Sequence, residues 1–114
     1  MSYVVELTVA ARSDLRRIFN FTFDRESTRE GGDPASAQKA VDTILRALRL
    51  LERAPFSYRR VEGSVGLREL VIPSGGSGFL AAFEIIDDAR VRIVAIQHQR
   101  EERREREAGS GEGT

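Results

Sequence analysis

The chain contains no cysteine, which excludes disulfides, a thiolate zinc site and thiol catalysis. It has a single histidine, His98, which excludes a metal site built from several imidazoles. It is poor in lysine: of 18 basic residues only Lys39 is a lysine. The planar guanidinium fork of the arginines suits phosphate and carboxylate, but a GC-rich coding sequence gives the same bias with no function attached. Net charge is missing too, since 18 acidic residues balance the 18 basic ones. That argues against strong binding to free nucleic acid, or to an anionic membrane, by bulk charge. Long apolar runs are absent. The longest, Phe79 to Ile86, is interrupted by Glu84 and is too short to span a bilayer. The opening MSYVVELTVA has no basic leader and meets Glu6 at once, so a cytoplasmic protein is expected. No cofactor and no metal are expected.

What is present points to one packed domain. The chain has 114 residues, 40% apolar and 32% charged. Residues 1–100 read as that domain and 101–114 as a tail. The tail carries five acids (Glu101, Glu102, Glu105, Glu107, Glu112) and three arginines (Arg103, Arg104, Arg106). The rest therefore keeps 15 basic and 13 acidic residues and is +2. Arg100 to Glu107 can extend as a charged helix with i,i+4 pairs, and Ala108 to Thr114, rich in Gly and Ser, is expected to be disordered.

Hydrophobic periodicity orders the elements. Tyr3 to Thr8 is β-branched and short, which predicts a strand. Ala11, Leu15, Ile18, Phe19 and Thr22 recur at three and four residues, which predicts a helix from about Ala10 to about Asp24. Asp33 and Pro34 suit a helix start, and Ala37, Val41, Ile44, Leu48 and Leu51 form the stripe of a second helix that Pro55 ends. The stripe spans two heptads and reads as core more than as a dimer seam. Phe56 to Gly66 is an irregular connector. Leu67 to Ile72, Phe79 to Ile86 and Arg90 to Gln97 read as strands joined by short turns, an antiparallel meander. The predicted class is α+β, in the order β-α-α-β-β-β, with a helical hairpin on one face of an antiparallel sheet.

Alternation along the last strand places Val91, Ile93 and Ala95 inward. Arg92, His98 and Arg100 would then share the open face, with Arg68 beside them. Such a patch could bind phosphate or serve acid/base chemistry; its bland equivalent is a solvated sheet face with a lone surface histidine. Arg59, Arg60 and Tyr58 in the connector are further binding candidates, although a half-buried tyrosine fastening the connector explains Tyr58 as well. Ser74-Gly75-Gly76-Ser77-Gly78 has the composition of a phosphate cradle but sits between two strands, where a hairpin loop is expected. Asp87-Asp88 suits a turn better than a metal.

The chain resembles the RelE/ParE superfamily of toxins of type II toxin–antitoxin systems, also described as plasmid stabilisation proteins. The features that carry the likeness are Ala10-Ala11-Arg12-Ser13-Asp14-Leu15-Arg16-Arg17-Ile18, similar to the family's "A..DL..I", and a second helix ending Leu48 to Pro55. Leu67-Arg68-Glu69-Leu70, Gly78-Phe79 and the closing Ile96-Gln97-His98-Gln99-Arg100 follow in order. The resemblance implies a protein antitoxin as partner and either of two targets. RelE-like members cut mRNA on the ribosome; here that would fall to His98, Arg100 and Arg68 as catalytic residues. ParE-like members inhibit DNA gyrase and are not nucleases. The arginine that nuclease members carry after Gly78-Phe79 falls at Leu80, their connector lysines have only Arg59 and Arg60 as counterparts, and their terminal tyrosine has none among Arg103 to Glu107. Each lost donor is worth about 3 kcal/mol of transition-state stabilisation. The resemblance therefore implies a ParE-like toxin before a RelE-like one.

Overall fold

The computed structural model describes residues 2–99. Its elements follow the predicted order: β1 (Val4–Leu7), α1 (Val9–Thr28), α2 (Ser36–Leu48), β2 (Leu67–Ser74), β3 (Ser77–Ile85) and β4 (Arg90–His98). Two short 3₁₀ turns, Arg49–Glu52 and Pro55–Ser57, lead from α2 into the connector. Arg100, the proposed tail helix and the Gly/Ser-rich end lie outside the described residues.

The sheet order is β1-β4-β3-β2. The meander of β2, β3 and β4 is antiparallel, but β1 lies parallel to β4, with Val4 beside Arg90 and Leu7 beside Ile93. The sheet is therefore mixed rather than wholly antiparallel. Short turns force antiparallel pairing only among β2, β3 and β4; the helical hairpin and connector between β1 and β2 are long enough to allow a parallel partner.

Thr8 caps α1: its Oγ1 accepts the Ala11 N–H at 3.0 Å. The helix runs a turn past Asp24, to Thr28. Asp33 turns the chain into α2 rather than capping it: its Oδ1 accepts the Ala35 N–H at 3.0 Å and its carbonyl accepts from Ser36, while the helix itself begins at Ser36. Ala11 and Ile18 from α1, Ile44 and Leu48 from α2, and Leu51 just beyond bury against Leu70, Ile72, Ala81, Phe83, Val91, Ile93 and Ile96 of the sheet. The α2 stripe is thus core. Among the described residues, no helix covers the other sheet face.

Gly32 has a specific reason to be glycine. A Cβ there would collide with the Glu26 carbonyl. Glu26 itself is only 5% exposed. It pairs with Arg29 at 2.8 Å and Arg25 at 3.4 Å and accepts the Asp33 N–H at 3.3 Å, which ties the end of α1 to the loop. A buried carboxylate persists only when its oxygens are compensated in this way.

Candidate functional site

One local irregularity decides where the candidate residues point. The β3–β4 register slips between Ala82 and Phe83: Ala82 faces Ala95, but Phe83 faces Ile93. Val94 is the extra residue of a β-bulge, and the alternation reverses across it. Val91 and Ile93 point to the helices, and so do Ile96 and His98, while Ala95 points out. Strict alternation had placed Ala95 inward and His98 outward, and the bulge overturns both. His98 stands opposite Phe79, ring edge against ring face with centroids 5.3 Å apart, and its Nε2 lies 3.2 Å from Ser77 Oγ.

Arg92 remains on the open face, so it and His98 lie on opposite sides of the sheet. Its Nη1 is 3.5 Å from Glu84, its register partner, and Glu6 is its neighbour on β1. Farther along, Ala82 and Ala95 face each other, then Val71, Leu80 and Gln97 share a row. Leu80, where nuclease members carry an arginine, leaves that row without a charge.

Arg68 sits opposite Phe83, on the helix side. Its Nη1 donates to the carbonyls of Tyr58 at 2.7 Å and Phe56 at 3.2 Å, and its guanidinium lies 5.4 Å from the Phe56 ring centroid. It pins the connector. Tyr58 packs edge-on against Phe83 at 6.2 Å, the fastening role. Arg59 is paired with Glu69. Arg60 is exposed, and its backbone bridges to Arg68. The structure therefore does not bring His98, Arg68 and Arg92 together; Arg100 is outside the described residues.

Sequence reading also missed Asp14. β1 stops at Leu7, so that among the described residues the β4 edge beyond Ile93 has no strand partner. Asp14 Oδ2 accepts the Ile96 N–H at 2.9 Å, and Arg17 Nη2 donates to the Ile96 carbonyl at 3.4 Å. Two α1 side chains thus stand in for the missing strand. The available signal was the acid of the "A..DL..I" pattern, a charged residue between the apolar positions Ala11, Leu15 and Ile18.

Asp87 and Asp88 occupy the β3–β4 turn. Asp87 Oδ1 accepts the Ala89 N–H at 2.8 Å. That bond, aided by Arg90, holds the carboxyl below the usual aspartate range. Among the described residues no group of three His, Asp or Glu is placed to hold a metal ion. None of their helices is long and apolar enough to cross a membrane.

The model of the ParE toxin of the type II toxin–antitoxin system parDE matches residues 5–103. The chain belongs to the ParE toxin family. The fold agrees with that membership. A solved chain described as the chromosomal ParDE toxin–antitoxin system from P. aeruginosa superposes with a TM-score of 0.69 at 21% identity, covering 85% of this chain and 96% of that one. No curated protein matches the sequence. ParE membership brings an antitoxin partner with it.

Proposed function

We propose that this ParE-family chain arrests growth by poisoning DNA gyrase in the cytoplasm and is held inactive by a cognate antitoxin. The observation that carries the reading is the charge pairing of the open sheet face. A ribosome-dependent nuclease needs unpaired cations there and an acid or base among them. Here Arg92 faces Glu84, Arg59 is bound to Glu69, an uncharged row with Leu80 at its centre replaces the missing arginine, and the bulge carries His98 to the other side. A face of paired charges around small apolar residues suits a protein surface better than an RNA backbone. For the antitoxin, an amphipathic helix and a strand laid on exposed apolar side chains is the expected mode, and Leu50, Phe56 and Val71 are such side chains.

The test is a paired assay: gyrase supercoiling beside in vitro translation read by primer extension. Loss of supercoiling with intact mRNA is expected. Codon-positioned cleavage that His98→Ala abolishes would replace this reading with the nuclease one.

A further inference from the structure

A cavity of about 660 Å³ opens between the helical hairpin and the far ends of the strands, on the side away from the open face. Its size falls within the roughly 300–1,000 Å³ of small-molecule sites. Its described lining is chemically one-sided. Arg25 from α1 and Lys39 from α2 face it, together with the hydroxyl residues Ser36, Ser74 and Ser77, and among the described residues no Asp or Glu lines it. Arg17 and His98 also line it, the first engaged with Asp14 and the Ile96 carbonyl, the second with Ser77.

Two cations have unused capacity. Lys39 Nζ has no hydrogen bond or ion pair among the described residues. Arg25 spends only its Nε, on Glu26, so its Nη groups are unbonded among those residues. That bond to a buried carboxylate holds the guanidinium in place, over the Phe21 ring at 5.7 Å. The glycine hairpin contributes after all. Gly75 and Gly76 make a two-residue turn that brings Ser74 and Ser77 opposite each other at the cavity wall.

We propose that this cavity binds a phosphorylated small molecule of nucleotide size, with its phosphate between Lys39 and Arg25 and the hydroxyls of Ser36, Ser74 and Ser77 completing the cradle. A phosphate offers oxygens in several directions, which matches donors arriving from α1, α2 and the β2–β3 hairpin; a flat carboxylate presents two. Lysine acts on phosphate as a compact point charge, and Lys39 is the one lysine of the chain. Phe21, exposed on α1, gives the rest of the ligand an apolar ring.

The test uses the full chain, with ADP and pyrophosphate as probes and citrate as the non-phosphate anion. Calorimetry should show saturable binding of ADP, with citrate at least about tenfold weaker, and Lys39→Gln should weaken ADP about tenfold, the usual effect of one charge-assisted contact. Arg16→Gln, an exposed α1 residue outside the cavity with the same change in charge, should leave the affinity within about twofold. Because Lys39 is the one lysine, ¹⁵N-lysine labelling gives a single site whose resonance should shift on ADP addition in the unmutated chain. Equal binding of citrate, equal loss in both variants, or an unmoved Lys39 resonance at saturation would each overturn the proposal.

Discussion

Asp14 illustrates how one side chain substitutes for secondary structure. Its carboxylate takes the Ile96 N–H that a longer β1 would have taken. Asp14→Ala leaves that donor without its partner, and denaturant unfolding should show a loss of about 1–3 kcal/mol. Asp14→Asn keeps an acceptor oxygen and should recover at least half. Gly32 is constrained differently: any side chain meets the backbone carbonyls of Glu26 and Arg29, which belong to the end of α1 and cannot retreat without distorting it. Gly32→Ala should cost more than about 2 kcal/mol in the same measurement. Neither role was readable beforehand, because a helix-face acid and a loop glycine look the same whatever they touch. Arg68 was misplaced for the same reason: the sequence shows a cation beside a strand, and only the tertiary structure shows that its donors are spent on connector carbonyls.

The elements themselves were legible, because hydrophobic period depends on local sequence. Ala11, Ile18, Ile44 and Leu48 face the core as their spacing requires. What periodicity could not supply was the bulge at Val94, a residue as β-prone as its neighbours, and that one insertion moved His98 to the other face. The parallel pairing of β1 was likewise invisible, since it depends on which strand is free at the far side of the sheet. The β2–β3 turn offers a clean test of local geometry. Gly75 has φ +59°, the left-handed region, whereas Gly76 has neither a positive φ nor a nearby atom to obstruct a Cβ. Gly75→Ala should therefore cost about 1 kcal/mol and Gly76→Ala close to nothing in chemical denaturation. The β3–β4 turn should respond to pH. The Asp87 carboxyl is held below its ordinary value of 3.8, so its stabilising effect is complete above that value and is lost as pH falls through the lower folded value. The melting-temperature advantage of the unmutated chain over Asp87→Ala should shrink steadily with acidification below that point.

At the scale of the whole molecule, a neutral chain turns out to be a set of local compensations. Arg92 with Glu84, Arg59 with Glu69, and Arg25 and Arg29 with Glu26 each balance a guanidinium with a carboxylate beside it. The chain belongs to the ParE toxin family, and the reading proposed above takes the open face of paired charges as suited to a protein target. Fold class and family were both readable from ordered, individually weak motifs, because the likeness extends along nearly the whole domain. The target was not, because it depends on which arginines keep free donors once the chain is folded. Purified full-length chain titrated against DNA gyrase with relaxed plasmid and ATP gives the decisive reading. Supercoiling should fall and gyrase-linked double-strand breaks should accumulate with toxin dose, both reversed by the cognate antitoxin. Unchanged supercoiling and no breaks at a large molar excess of folded protein would contradict the gyrase assignment.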